Sequence, residues 1–154
     1  MIAAMLIRTA TVADGPGLYQ LALAFDATGG NTTAPWDSYR ARFEEILADD
    51  RMLMLVAGSE PIGYALAQDY GRNPRRVFTT GRLHDLFVLA EHRRRGVARH
   101  FMEHVAGWAR SRGMILDWQS RWDAVPFYES LGLAPDTVGD QARYPGFCLD
   151  YRPA

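Results

Sequence analysis

The stretch from Leu83 to Gln119 constrains the fold more than any other part of the chain. A strand pattern, Leu83-His84-Asp85-Leu86-Phe87-Val88, leads through Arg93-Arg94-Arg95-Gly96 into a helix with Val97, Phe101, Val105, Trp108 and Ala109 on its apolar face. Gly113 stops that helix, and Met114 to Gln119 resumes a strand. Strand, helix and strand at this length form a crossover unit. The two strands are therefore expected side by side and parallel in one sheet.

The rest of the chain supplies the other elements. Ala4 to Thr11 reads as a first strand, and Asp14 with Pro16 as a helix start followed by Leu18, Leu21, Ala22 and Phe25 on one face. Asp26 to Ala34 holds two Gly, three Thr and an Asn and reads as a loop. Pro35 opens a second helix with Trp36, Tyr39, Phe43, Ile46 and Leu47 on one stripe. Met52–Ala57, Ile62–Tyr70 and Val77–Leu89 are three strands on short links, an antiparallel meander. Ala124 to Leu131 reads as a short helix and Ala142 to Tyr151 as a last strand, with Leu133 to Val138 a candidate for one more. The expectation is an α/β (α+β) mixed sheet, mostly antiparallel, with about four helices on its faces and a single domain over residues 1–154.

Composition narrows the chemistry. The chain has 154 residues and a net charge of −1, which argues against a nucleic-acid binder. No apolar run approaches the roughly 20 residues of a membrane span. Cys148 is the one cysteine, so no internal disulfide and no zinc cluster is expected, and a cytoplasmic setting is the simple fit. Without a paired base, Cys148 reads as packing rather than as a nucleophile. All 17 basic residues are arginine, which excludes lysine Schiff-base and lysine general-base chemistry.

The junction at Gly96 carries the strongest functional signal. The first amides of a helix lack partners within it and point outward, and the helix dipole adds partial positive charge there. Gly96 lets a ligand approach the backbone, Ala98 keeps the helix start open, and Arg93, Arg94, Arg95 and Arg99 surround it. Together these form a candidate diphosphate cradle, although neither a Walker A loop nor a GxGxxG fingerprint is present.

The order Arg93-x-x-Gly96-x-Ala98 after a strand resembles the coenzyme A motif of the GNAT acetyltransferase superfamily. The segment Ala124-Val-Pro-Phe127-Tyr128-Glu-Ser-Leu-Gly132-Leu133 is similar to a second element of that superfamily, and the element order agrees from Leu6 onward. Within the superfamily the match leans toward the diamine acetyltransferase-like branch. The resemblance implies that strands four and five splay to admit the pantetheine arm of acetyl-CoA, which pairs with backbone of Leu86, Phe87 and Val88. It implies that backbone of Arg94, Arg95, Gly96, Val97, Ala98 and Arg99 holds the diphosphate, with Arg93 at the first motif position and Phe127 beside the cofactor. A metal is not part of the scheme, and a homodimer is common in such proteins. Arg121 stands where the superfamily often has Asn.

Two catalytic residues follow. Tyr128 matches the residue that protonates the departing thiolate, a task suited to a phenol that is neutral at pH 7. Asp85 is the candidate base for the amine, with His84 as a second candidate. Alternation along the strand places Leu83, Asp85, Phe87 and Leu89 on one face, so Asp85 needs either a task or a partner such as Arg82. Trp36, Tyr39, Tyr70, Trp118 and Trp122 are candidates for an aromatic acceptor pocket. The expected function is transfer of an acetyl group from acetyl-CoA to a small-molecule primary amine in a bacterial-type enzyme. A protein acetyltransferase and a non-catalytic acyl-CoA-binding module remain alternatives.

Overall fold

A computed structural model describes residues 5–136 and 145–152. Six strands form one sheet in the order β1-β2-β3-β4-β5-β6: β1 Ile7–Thr9, β2 Met52–Ala57, β3 Gly63–Arg72, β4 Thr79–Val88, β5 Met114–Gln119 and β6 Gly146–Asp150. All neighbours are antiparallel except β4 and β5, which run parallel as the crossover requires. The helices are α1 Gly15–Gly29, α2 Trp36–Ala48, α3 Val97–Ser111 and α4 Val125–Ser130. The mixed sheet with its parallel pair and four helices is the expected fold class.

The sheet separates two apolar clusters. One joins Val97, Phe101, Met102, Val105 and Ala109 of α3 to Leu83, Val88, Leu116, Trp118 and Tyr128. The other joins Leu18 and Leu21 of α1 and Phe43 of α2 to Met54, Val56, Tyr64 and Phe87. Each helix contributes a stripe spaced for one face, which is why α3 covers one side of the sheet and α1 with α2 the other. No helix among the described residues is long and apolar enough to cross a membrane.

Several boundaries differ from those read in the sequence. Helix α1 continues through Asp26 to Gly29, and Gly30 ends it at φ 70°, so only a shorter link precedes α2. Ala24 and Ala27 favour helix, and Phe25 is held by packing against Phe87 and Tyr64, which together override the Thr and Gly content. Strand β1 is shorter than Ala4–Thr11, and Ala4 lies outside the described residues. Leu133–Asp136 is not a strand, while Thr137, Val138 and Ala142–Tyr144 lie outside the described residues. Cys148 is exposed on β6 rather than packed inward.

Two ion pairs fasten the periphery. Arg8 on β1 donates twice to Asp14, at 2.8 Å to each carboxylate oxygen, and the Thr11 amide donates to the same carboxylate at 2.8 Å. At the far end Arg112, just past α3, donates to Asp69 of β3 at 2.9 Å and to the Asp50 carbonyl at 3.0 Å.

The Arg8 hydrogen bonds, against the cost of burial, hold the Asp14 carboxyl below its ordinary value of 3.8. Stability from this depressed pKa is present above that ordinary value and is lost as pH falls through the lower folded value. Asp14→Asn should cost about 2 kcal/mol at pH 7 by urea unfolding. The difference from native should shrink as the pH is lowered to about 3.

Candidate active site

Strands β4 and β5 pair only from Thr79↔Met114 to Arg82↔Asp117. Beyond that point β5 pairs with β6 alone, while β4 continues along β3 to Gly63↔Val88. The gap between them opens into a cavity of about 500 Å³ that runs past Leu86, Val88, Arg93, Ala98, Phe127 and Tyr128.

A β-bulge sits where the strands part. Leu66 pairs with Asp85 and the next residue, Ala67, with Leu83, so His84 is the extra residue on β4. The bulge breaks the simple alternation expected through Leu83 to Leu89. Leu83 packs with the α3 cluster, whereas Phe87 packs beneath α1 and α2. Asp85 is turned to where both this cavity and a second one reach it.

The bulge also sets which backbone groups face the gap. The Leu89 amide donates to the Ile62 carbonyl at 3.0 Å. Antiparallel alternation then commits the Phe87 backbone to β3 and directs the polar groups of Leu86 and Val88 into the gap. Of the three expected backbone positions, Phe87 is therefore engaged within the sheet. The Val88 carbonyl accepts from Arg93 Nε at 2.8 Å, and the Arg93 guanidinium lies 5.6 Å from the Phe87 ring centroid. Arg93 thus folds back onto the strand end instead of ringing the helix start.

The start of α3 is shaped for an anion. Its first hydrogen bond runs from the His100 amide to the Gly96 carbonyl at 3.0 Å, which leaves the amides of Val97, Ala98 and Arg99 without an acceptor in the helix. No side chain caps that end. Gly96 has φ 82°, and Arg94 takes a left-handed φ of 61°, which costs a non-glycine residue about 1–2 kcal/mol. Backbone turned this way aims successive amides at one point, as in other anion nests. Arg94, Arg95 and Arg99 are exposed around it.

Tyr128 is buried at the wall of the same cavity, with ring centroids 5.5 Å from Trp118 and 4.7 Å from Phe147. Burial pushes its phenol up to about 12, and the nearby Trp118 indole opposes this weakly. The Trp118 Nε1 itself is buried and makes no hydrogen bond of full geometry among the described residues. Asp85 accepts a hydrogen bond from Tyr64 Oη at 3.0 Å. Burial raises its pKa above the ordinary carboxylate value despite that bond. Arg82 is not its partner: it pairs with Asp117 at 3.3 Å and reaches Gln119. His84 is exposed with Nε2 2.9 Å from Gln68 Oε1, and desolvation lowers its pKa.

The aromatic candidates separate. Tyr39 lines the second cavity and Trp118 the first. Trp36 stacks with Tyr39, and Tyr70 and Trp122 are exposed. Arg121, at the position where Asn was expected, does line the first cavity. Sequence reading missed Tyr64. Phe25 packs edge-on against Phe87 at 5.0 Å and against Tyr64 at 6.5 Å, and lines both cavities. Its helical spacing with Leu18, Leu21 and Ala22 was legible, but not that the stripe ends over the site.

Known proteins share this architecture. An acetyltransferase from Thermus thermophilus is 17% identical, with a TM-score of 0.71 over 97% of this chain and 98% of that one. Glucosamine-6-phosphate N-acetyltransferase from Arabidopsis thaliana is 20% identical, with a TM-score of 0.72 over 89% of this chain and 96% of that one. The ribosomal-protein-S18-alanine N-acetyltransferase of Escherichia coli is 20% identical, with a TM-score of 0.63 over 97% and 96% of the two chains. At these identities the likeness is one of fold. No curated protein sequence matches the chain. The family model for the acetyltransferase (GNAT) family matches residues 17–133, and the chain belongs to that family.

Proposed function

We propose that this protein transfers the acetyl group of acetyl-CoA to the primary amine of a small molecule, in a ternary complex. The observation that carries this reading is that two cavities meet at Asp85 and Phe25. One leads from the α3 N-terminus along β4 to Tyr128, and the other, of about 300 Å³, opens beneath α1 and α2. A compartment of that size suits a small acceptor better than an extended peptide.

The residues fit acetyl-CoA. Uncapped amides of Val97, Ala98 and Arg99, with the turn at Arg94, Arg95 and Gly96, are suited to its diphosphate, and Leu86 and Val88 present polar backbone to its arm. Phe127 and the Arg93 stem line the same groove. When bound, acetyl-CoA supplies the acetyl group as a thioester.

The chain's own groups do the rest. The Val88 amide, directed into the gap, polarises the thioester carbonyl. Asp85 takes the proton that the ammonium form of the acceptor must lose, and the freed nitrogen forms the new N–C bond as the C–S bond breaks. Tyr128, neutral at pH 7 because its pKa lies near 12, gives its proton to the departing sulfur. Asp85 is preferred to His84 as the base because it stands where the two cavities join and His84 lines only the first.

Thiol release from acetyl-CoA with a panel of primary amines tests the reading. Tyr128→Phe should lower kcat about 10²-fold; equal turnover, or no thiol release by native protein, would contradict it. Activity should fall as the pH is lowered through the raised Asp85 pKa, since the base must be ionised. Because the folded chain holds that proton more tightly than the unfolded one, Asp85 subtracts stability above its raised pKa. Asp85→Asn keeps an acceptor for Tyr64, so it should abolish turnover while leaving Tm at pH 7 equal or higher.

A further inference from the structure

The second cavity carries a charge pattern that points to the nature of its occupant. Its wall bears two carboxylates, Asp26 and Asp85, and one guanidinium, Arg42. The Asp26 charge helps to raise the Asp85 pKa, and both carboxylates act on Tyr64. Each is held by a neutral donor, Asp85 by Tyr64 Oη at 3.0 Å and Asp26 by Thr33 Oγ1 at 2.5 Å. Neither forms an ion pair among the described residues, although the His84 charge favours the ionised form of Asp85. An ammonium group seated at this end would relieve their repulsion.

Arg42 answers with the opposite sign. It lies on α2 three residues beyond Tyr39, a rise of about 4.5 Å along the helix. Tyr39, which feels the Asp85 charge, and Arg42 line the same cavity from adjacent turns of α2. Arg42 is exposed, and no carboxylate pairs with it among the described residues. Apolar side chains, among them Phe25, Phe43, Ile46, Met54 and Leu66, line the same cavity beside these charges. A simple alkylamine leaves the guanidinium unused, and a diamine brings a second cation toward it.

We propose that the acceptor is an amphoteric amine with an apolar body, its ammonium between Asp85 and Asp26 and its carboxylate on Arg42. This rests on the acetyl-transfer reading above and narrows it to amino-carboxylic acids.

Matched acceptors test it: phenylalanine and leucine, their amides, and 1,4-diaminobutane, each assayed for thiol release from acetyl-CoA. Native protein should favour each acid over its amide by at least about tenfold in kcat/KM. Arg42→Gln should bring that ratio close to one, and Arg40→Gln, exposed on the same helix outside the cavity lining, should preserve it. Calorimetric titration of coenzyme A-loaded protein with the same acids reads binding without turnover and should lose its signal in Arg42→Gln. Binding of the acids without thiol release would sink acetyl transfer and keep this assignment of the cavity. Equal use of acid and amide, preference for the diamine, or no binding of either acid would overturn it.

Discussion

The site depends on the hydrogen bonds that β4 and β5 do not make. Their pairing ends at Arg82↔Asp117, and the bulge at His84 follows at once. Past that point Leu86 and Val88 carry polar backbone with no strand on one side, in a groove too sheltered to be indifferent to its contents. Buried peptide groups without partners are costly. Arg93 answers part of that demand by donating to the Val88 carbonyl, and the rest is left for a ligand with donors and acceptors of its own. The same divergence carries β5 away to β6, which brings Trp118 and Phe147 around Tyr128 and buries it.

Charge is sorted along the groove. At one end the left-handed backbone at Arg94 and Gly96 and the uncapped helix gather positive potential from amides, with arginines outside. In the middle Tyr128 is neutral, its phenolate disfavoured by burial. Asp85 stands where the groove meets the second cavity, whose wall also bears Asp26 and Arg42. Phe25 stands with Asp85 where these compartments meet, and its ring packs against Phe87 and Tyr64. The two compartments therefore differ in the charge they favour.

Much of this was legible in the sequence. Met52–Ala57 is a continuous apolar run, Met114–Gln119 follows the stop at Gly113, and both are strands with those limits. The spacing Val97, Phe101, Val105, Ala109 marked the buried face of α3, and Gly96 marked its open end. What escaped depends on register between strands. A bulge belongs to a pair, and nothing in Leu83 to Leu89 taken alone shows that His84 has no partner on β3. Without it Asp85 reads as a neighbour of Leu83 within reach of Arg82. With it Asp85 turns toward Tyr64, and Arg82 is left to Asp117 on β5. The same limit hid Tyr64, which reaches Asp85 only because Leu66 pairs with it.

Amide hydrogen exchange read by NMR, with and without saturating coenzyme A, addresses the gap and the helix end together. Slower exchange at Val97, Ala98 and Arg99, joined by Val88, is the expected result, with the Phe87 amide little changed because β3 already holds it. Unchanged exchange at the start of α3 and along the open edge of β4, under conditions where the nucleotide is bound, would contradict the assignment of this groove to the thioester.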